Sequence, residues 1–358
     1  MKASLLEVLV SPGEHRPLRL NGEPRPAGAE ETVDGSLSDD NGHQFEIRSG
    51  VPRMVPPAQL APGGEQSASA ETFGAKWATL QEDQRDRLAA MQRGWFDRRF
   101  GFGDEAKLAS FLAGRRRILD AGTGPGLNAN RFAALTDNEV VGMDLSESIS
   151  RAHESFGSLP NLHFVQGDIL EPPFPPESFD FVVSDQVIHH TPDCPRAFRT
   201  LAGLLRPGGQ LAVYVYRRKP LMRELADEHV RALTTGMSVE ECFEFSEQVT
   251  ELGRALSGLE ATVTLEKGVP LLGIEPGEHD VQRLIYWCFL KCYWNEELGE
   301  ELSTLINFDW YHPVYASRHT ESEVLGWCRE AGLEVVHLDV MESGISVRAE
   351  RPPEEDSS

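Results

Sequence analysis

A run of glycines behind an apolar segment is the part of this sequence best suited to binding a ligand. Asp120, Gly122, Gly124 and Gly126 alternate with other residues directly after Ile118-Leu119. Glycine has no side chain, so the backbone of such a turn can approach a ligand closely. The pattern predicts the end of a parallel strand, a tight turn and a crossover helix, with a ligand bound at the turn.

The same run also fits the dinucleotide-binding fingerprint loosely. Gly124-x-Gly126-x-x-Ala129 is followed by Asp144, which lies 20 positions beyond Gly124. An acidic residue at that distance would bind a ribose hydroxyl in a dinucleotide site. The glycine run by itself therefore leaves two classes of nucleotide-like ligand open.

A pair of histidines is the second feature that could do chemistry. His189 and His190 follow the apolar run 179–184 and the polar pair Asp185-Gln186. Histidine titrates near neutral pH and can remove a proton from a hydroxyl group. We expect His190 or His189 to be a general base; the alternative is that the pair shapes a pocket or bonds to the backbone.

These residues need a frame that brings distant segments together. Between residues 108 and 216, short apolar runs alternate with runs typical of helices, which predicts a parallel sheet covered by helices. The expected strands are 117–120, 139–143, 162–166, 179–184 and 210–216, with helices starting at Leu127, Ser146 and Pro195.

Further motifs occur in a consistent order along this frame. Asp144 follows the second predicted strand, Gly167-Asp168-Ile169 follows the third, and Pro207-Gly208-Gly209 precedes the fifth. With the glycine run, they resemble the class I S-adenosylmethionine-dependent methyltransferases over residues 108–216. The resemblance implies an α/β fold with a Rossmann-like seven-stranded sheet, S-adenosyl-L-methionine as cofactor, and a methyltransferase activity.

The resemblance also implies a role for each motif. Asp120 would order the ammonium group of the cofactor, Asp144 would accept its ribose hydroxyls, and Asp168 would accept the adenine amine. The alternative for each aspartate is that it caps a turn or a helix. The other expected cofactor contacts are Gly122, Thr123, Gly124 and Gly126 beside the methionine part, Leu145 and Ile169 against the adenine, and Asp185 and Gln186.

The composition bounds the kinds of partner. The chain has 358 residues, 34 Lys+Arg and 57 Asp+Glu, and a net charge of −23. This charge opposes binding to a phosphate backbone, so a nucleic-acid substrate is unfavourable. Five cysteines without CxxC spacing favour neither disulfides nor structural zinc. The longest apolar run, 284–290, is too short to span a bilayer, and we expect a cytoplasmic protein without a membrane anchor.

Residues 1–60 predict a separate module of short strands and turns. Leu9 to Glu14 and the segment 42–52 resemble a small zinc-ribbon-like domain that accompanies certain bacterial and tRNA methyltransferases. Where that family carries four cysteines, this chain has Ser11, Glu14, Ser38 and Asn41. We therefore expect a degenerate module without metal. Residues 61–107 are expected to be a linker and a helical cap whose aromatic residues either cover the ligand or pack the module onto the core.

The chain beyond residue 216 is expected to complete and cover the site. We predict an inserted helical lid at 217–305, the last helix and closing hairpin of the sheet at 306–351, and a disordered tail at 352–358. Aromatic and ionisable residues concentrate just before the last helix, which suits a pocket wall. The alternative is that this loop docks the lid. The expected substrate-binding residues there are Tyr311, His312, Arg318 and His319.

Three functions fit these features. The leading one is methylation of a small molecule, at a hydroxyl oxygen, with methylation at nitrogen, sulfur or carbon as its variants. The second is methylation of tRNA, ribosomal RNA or protein, prompted by the N-terminal resemblance. The third is a binding protein without catalysis, which the presence of Asp120, Asp144 and Asp168 disfavours. The oligomeric state is not readable from the sequence.

Overall fold

The computed structural model describes residues 1–21, 31–63, 66–78 and 82–353. It contains a four-stranded sheet near the N-terminus, a seven-stranded sheet covered by helices, and an insertion of helices with a two-stranded hairpin. The centre of the predicted linker, at Gly64, and most of the predicted tail lie outside the described residues.

The N-terminal elements form the small sheet and the helices that follow it. In chain order they are α1 (Ala3–Leu6), β1 (Arg19–Asn21), β2 (Gly35–Ser38), β3 (Gln44–Arg48), β4 (Val51–Pro52), α2 (Pro57–Leu60), α3 (Ser67–Ala78), α4 (Glu82–Arg99) and α5 (Glu105–Ala113).

The core then alternates strand and helix as the sequence predicts. Its elements are β5 (Arg117–Ala121), α6 (Leu127–Leu135), β6 (Glu139–Asp144), α7 (Ser148–Phe156), β7 (Leu162–Gln166), β8 (Phe179–Ser184), α8 (Cys194–Gly203) and β9 (Leu205–Tyr216).

The insertion and the end of the sheet complete the chain. These elements are α9 (Leu221–Thr234), α10 (Val239–Ser257), β10 (Thr262–Leu265), β11 (Gly277–Asp280), α11 (Val281–Cys288), α12 (Gly299–Tyr311), α13 (Glu321–Glu330), β12 (Glu334–Val340) and β13 (Gly344–Glu350).

The large sheet has the strand order β12-β13-β9-β8-β5-β6-β7. β13 is antiparallel to both of its neighbours, and the pairs from β9 to β7 are parallel. Every residue of β5 and β7 is buried, as expected for parallel strands with helices on both faces. This confirms the Rossmann-like methyltransferase sheet. The strand order reverses between β5 and β8, which is where such sheets bind ligands.

The N-terminal sheet packs against the outer edge of the large sheet. The backbone N–H of Met54 donates to the carbonyl of Gln166 at the end of β7 (2.8 Å), and Arg53 forms a parallel bridge with the same residue. Lys2 Nζ donates to the carbonyls of Gly157 (2.8 Å) and Leu162 (2.7 Å). The module therefore covers the hydrogen-bonding edge of β7, which would otherwise be open for pairing with another chain.

The four positions compared with zinc-ribbon cysteines make ordinary polar contacts. Ser11 Oγ accepts from the backbone of Arg16, and Asn41 Nδ2 donates to Glu14 Oε2 (2.6 Å). Ser38 Oγ donates to a neighbouring strand. A nearby group, Glu14, Asp39 and His43, brings its ligand atoms within 4.8 Å of one another. Within that group, Arg16 pairs with Glu14 at 2.7 Å and His43 Nδ1 bonds Asp39 at 2.9 Å. The zinc-ribbon origin of the module stays a prediction.

The insertion differs from the sequence-based expectation in three ways. It contains the antiparallel hairpin β10–β11, although only helices were expected. Residues 289–298, inside the segment expected to be helical, form no helix; α11 ends at Cys288. Helix α12 crosses the expected boundary at residue 305 and extends to Tyr311, into the segment before the last helix that was expected to be a loop. Leu302, Leu305 and Phe308 recur at helical spacing and are buried, which explains why this segment is helical.

None of the helices in the described part of the chain combines the length and the apolar composition needed to cross a bilayer.

Candidate active site

A large pocket opens at the carboxyl ends of β5, β6, β7 and β8. Its empty volume is about 1340 Å³, which includes the open mouth. The sequence-predicted residues that line it are Asp120, Gly122, Thr123, Gly124, Asp144, Leu145, Asp168, Ile169, Asp185, Gln186 and His190.

The glycine turn has the backbone that its sequence predicts. Gly122 and Gly126 have φ of +84° and +83°, in the left-handed region that favours glycine. A Cβ on Gly122 would lie 2.3 Å from Cγ1 of Val187, so no side chain fits there. Gly126 does not line the pocket; it precedes α6 and packs against α7, where a Cβ would meet Ala152 at 3.0 Å. The expected contact of Gly126 with the cofactor is therefore replaced by a packing role.

Asp120 is a buried carboxylate in need of a cation. Its Oδ2 accepts from Thr123 Oγ1 (2.5 Å) and from the backbone of Ala129 (3.1 Å). Burial, with the charges of Asp185 and Asp144 adding to it, raises the pKa of Asp120 to about 7. In the described ranges no ion pair reaches this carboxylate. A positively charged ligand group would satisfy it.

Asp144 and Asp168 line the pocket and also accept hydrogen bonds from nearby backbone groups, as the capping alternative expected. Asp144 accepts from the backbone of Gly124 (2.8 Å) and of Ser146 (2.8 Å), so it also holds the glycine turn. Asp168 accepts from the backbone of Leu170 (2.9 Å) and from Gln66 Nε2 (2.9 Å), and burial raises its pKa. Gln66, in the cap, is a pocket residue that the sequence did not indicate.

Asp185 and Gln186 lie where β8 ends. Asp185 forms an ion pair with Arg99 of α4 (2.7 Å), which ties the cap to the strand end. Gln186 has φ of +65°, a conformation that costs non-glycine residues on the order of 1–3 kcal/mol. A side chain held in this way in a pocket wall is a candidate for ligand contact.

The two histidines have different environments. His190 lines the pocket, and its Nδ1 bonds the carbonyl of Tyr315 (2.8 Å), so Nδ1 carries the proton. Its Nε2 has no hydrogen-bond partner among the described residues. His189 is fully buried behind it, with its ring 3.8 Å from the ring of Tyr216, and does not line the pocket. The structure therefore favours His190 and gives no support to His189 as a base.

The four expected substrate-binding residues lie away from the pocket. Each is buried or paired with another part of the chain, which favours the alternative that they fix the insertion to the core. Their contacts are Tyr311 Oη to the carbonyl of Lys291 (2.7 Å), His312 Nδ1 to Thr72 Oγ1 (2.8 Å), Arg318 Nε to Glu224 (2.7 Å) and His319 Nε2 to Ser317 Oγ (2.9 Å).

The rest of the pocket wall comes from helices outside the sheet. Apolar side chains of α3, α4 and α12 line it, and Lys76 of α3 pairs with Asp309 of α12 at 2.6 Å. Tyr216 Oη donates to the second oxygen of Asp309 (3.2 Å). Burial favours a raised pKa for Asp309, but Lys76 and His190 outweigh it and the pKa is lowered. The apolar lining residues from these helices are Phe73, Trp77, Leu88, Met91, Trp95, Leu305 and Ile306.

Comparison with known proteins identifies the core of this arrangement. Residues 119–213 match the family model described as a methyltransferase domain. A 27-O-demethylrifamycin SV methyltransferase of Amycolatopsis mediterranei is 35% identical over 127 residues, 34% of this chain and 47% of that protein. A phthiotriol/phenolphthiotriol dimycocerosates methyltransferase of Mycobacterium leprae is 37% identical over 98 residues, 27% of this chain and 36% of that protein.

A third relative, a sterol 24-C-methyltransferase of Aspergillus fumigatus, is 34% identical over 102 residues, 27% of each protein. The chain thus spans less than half the length of these curated relatives. Among solved structures, an S-adenosylmethionine-dependent methyltransferase of Mesorhizobium loti is 17% identical, with a TM-score of 0.42 over 70% of this chain and 99% of that one. This structural similarity is too low to serve as evidence for the fold, which the strand order establishes by itself. Residues 119–213 therefore match a methyltransferase domain, a match that supports S-adenosyl-L-methionine as the cofactor, and the pocket lies at the strand ends of this region.

Proposed function

We propose that this protein transfers a methyl group from S-adenosyl-L-methionine to a hydroxyl oxygen of a small molecule, with His190 as the general base. The observation that carries this proposal is that His190 lines the pocket while its Nε2, on the other side of the ring from the bond to Tyr315, is buried without a hydrogen-bond partner among the described residues. An imidazole nitrogen in this state can accept one proton from a neighbouring hydroxyl.

The part of the pocket at the carboxyl ends of β5, β6 and β7, which we call the donor half, has a suitable residue for each group of the cofactor. Asp120 would hold the ammonium group, because this buried carboxylate lacks a cationic partner in the described chain. Asp144 would accept the ribose hydroxyls, and Asp168 the adenine amine, between the apolar side chains of Leu145 and Ile169. The cofactor supplies a methyl carbon on a positively charged sulfur, which leaves as a neutral thioether. Most of the rate enhancement would come from positioning.

The state of His190 suits a base rather than an acid. Burial lowers the pKa of His190 to about 4, so the ring is neutral at pH 7. Because the hydrogen bond to Tyr315 fixes the proton on Nδ1, the lone pair of Nε2 is available. When Nε2 accepts a proton, the ionised carboxylate of Asp309 would stabilise the resulting positive charge.

A small acceptor is favoured by the cover and the charge of the protein. Helices α3, α4 and α12 close over the pocket, and the net charge is −23. The relatives' names include both an oxygen and a carbon acceptor, so oxygen as the accepting atom rests on His190. Methylation of nitrogen, sulfur or carbon, or of RNA or protein, is the alternative. The cytoplasmic location stays a prediction.

A transfer assay tests the proposal. The protein is incubated with S-adenosyl-L-methionine and a panel of hydroxyl-bearing small molecules, matched amines and thiols, bulk tRNA and a peptide mixture. Release of the demethylated cofactor is measured, and the position of the new methyl group is determined by NMR. The proposal predicts methyl ethers from at least one hydroxyl compound. Transfer confined to amines, thiols, tRNA or peptides contradicts it.

A further inference from the structure

The part of the pocket beyond the cofactor residues is lined by aromatic side chains and a methionine. Phe73 and Trp77 of α3 and Met91 and Trp95 of α4 line it. Aromatic rings pack best against other rings, in offset or edge-to-face arrangements, and the methionine thioether also favours aromatic contacts. Such walls select a planar apolar molecule over a polar one.

Trp77 connects this part of the pocket to the cofactor turn. A Cβ on Gly124 would lie 3.0 Å from Nε1 of Trp77, so the indole packs directly against the glycine turn. A planar molecule held against Trp77 would therefore lie next to the cofactor turn and next to Lys76 Nζ, which is 4.3 Å from the centroid of the Trp77 ring. The acceptor and the methyl group would share one wall.

The polar end of this region is formed by an imidazole and an ion pair around one phenyl ring. The ring of His190 meets Phe73 edge-on with centroids 5.0 Å apart, and Lys76 Nζ lies 5.6 Å from the same centroid. Lys76 Nζ also bonds Asp309 at 2.6 Å, and both side chains are more than four-fifths buried. A lysine–aspartate ion pair and an unprotonated nitrogen thus lie at the same end of an apolar slot.

These two groups favour an acidic hydroxyl. A base with a pKa of about 4 draws a proton only weakly from an alkyl alcohol. A ring hydroxyl is far more acidic, with a pKa of about 10 in tyrosine, and a lysine ammonium can donate a hydrogen bond to its oxygen. In a poorly solvated pocket the same cation stabilises the negative charge that develops on the oxygen.

We propose that the acceptor is an aromatic compound with a hydroxyl on the ring, held against Phe73, Trp77 and Trp95 with its oxygen towards His190 Nε2 and Lys76 Nζ. This inference rests on the proposed function and narrows its substrate class. In the reaction, the acceptor oxygen gains the methyl carbon and its proton passes to Nε2 of His190. The electron pair of the broken carbon–sulfur bond stays on the sulfur.

Binding of a matched pair of probes tests this without turnover. The full chain is saturated with S-adenosylhomocysteine and titrated in a calorimeter with 2-naphthol and with decahydro-2-naphthol, which has the same skeleton without the aromatic rings. We expect 2-naphthol to bind at least about tenfold more tightly, as ring stacking and one charge-assisted hydrogen bond would give.

Variants separate the ion pair from the general fold. Lys76→Met should weaken 2-naphthol binding about tenfold, and the double variant Lys76→Met/Asp309→Asn, which leaves no unpaired buried charge, should weaken it similarly. Lys107→Met, at an exposed position of α5, should leave the affinity for 2-naphthol unchanged. Unfolding temperatures of all three variants check that each is folded.

Each outcome decides the inference. Equal binding of both probes, or full 2-naphthol affinity in the double variant, overturns it. If S-adenosylhomocysteine binds but neither probe does, the aromatic acceptor is overturned while the proposed methyltransferase function stands. If S-adenosylhomocysteine itself does not bind, the proposed function fails and this inference fails with it.

Discussion

The two halves of the pocket are built from different parts of the molecule. In the donor half, Asp120, Asp144 and Asp168 lie at or within two residues of the ends of β5, β6 and β7. In the acceptor half, the ion pair joins Lys76 and Asp309, which are 233 positions apart in the chain. The donor half is a property of the sheet itself, and the acceptor half depends on how helices outside the sheet pack over it.

The halves also differ in charge. Asp120, Asp144, Asp168 and Asp185 gather in the donor half, where the burial of Asp120 raises its pKa to about 7. The acceptor half has a neutral histidine and an internally paired lysine and aspartate. A cationic ligand is therefore favoured on one side, and an apolar ligand with one polar group on the other.

The largest expected effect is a loss of turnover when the acceptor half alone is altered. His190→Gln removes the imidazole base while keeping a polar side chain of similar size, so turnover should fall by about 10²–10⁴-fold. Affinity for S-adenosyl-L-methionine should not change, and calorimetry checks it. The matched control is His189→Phe, which keeps a ring against Tyr216 and should retain turnover. Full activity in His190→Gln would assign the proton to another group.

The next largest effect is a loss of cofactor affinity when the donor half alone is altered. Asp144→Ala removes the acceptor proposed for both ribose hydroxyls, so the dissociation constant of S-adenosyl-L-methionine should rise by about 10–100-fold. Asp144→Asn, which keeps one acceptor oxygen for the backbone of Gly124, should lose less. Circular dichroism checks the fold, because Asp144 also holds the glycine turn. Unchanged affinity in Asp144→Ala would refute its assignment to the ribose.

A smaller effect concerns the charge of Asp120. Because its pKa is about 7, the carboxylate is increasingly protonated below that pH, and affinity for the cationic cofactor should fall by up to about tenfold per pH unit between pH 7 and 6. The pH dependence of folding stability has the opposite sign to that of cofactor affinity. The folded chain holds this proton more tightly than the unfolded chain, so this contribution to stability is present at low pH and is lost as pH rises through 7.

Two measurements check that pH dependence. Calorimetry at pH 6, 6.5, 7 and 7.5 gives the affinity of the wild-type protein and of Asp120→Asn, in which the dependence should flatten. Thermal unfolding without ligand should show that Asp120→Asn loses less stability than the wild type between pH 6 and 8. A pH-independent wild-type affinity would mean that Asp120 does not titrate in this range.

The smallest expected effect tests whether Arg318 belongs to the acceptor half of the pocket. Arg318 pairs with Glu224 and Glu228 of α9, away from the pocket. Arg318→Gln should therefore lower the unfolding temperature while turnover and cofactor affinity stay within about twofold of the wild type, as expected for a contact that only fixes structure. A selective loss of acceptor affinity would restore the substrate role expected from the sequence.

The donor half was readable from the sequence because its signals are local. A glycine turn or an acid after an apolar run lies at a strand end whatever the rest of the chain does, and parallel strands bring such ends together. Even so, the strained backbone of Gln186 and the hydrogen bond from Gln66 to Asp168 depend on packing. No residue pattern indicates them.

The acceptor half was predicted poorly for the opposite reason. Which of the consecutive residues His189 and His190 faces the pocket depends on a short 3₁₀ turn at Ile188–His190. Tyr311 was expected in a loop but lies at the end of α12, which directs Asp309 to the pocket instead. The helical spacing of Leu302, Leu305 and Phe308 was the signal that could have corrected this.

We propose above all that the donor half binds S-adenosyl-L-methionine as a preformed site. The most direct measurement is calorimetry of the unmodified protein with this cofactor at pH 7.5. We expect one site per chain, with a dissociation constant on the order of 10 µM, and a marked loss of affinity in Asp144→Ala. Absence of binding, or equal binding by the wild type and Asp144→Ala, would contradict it.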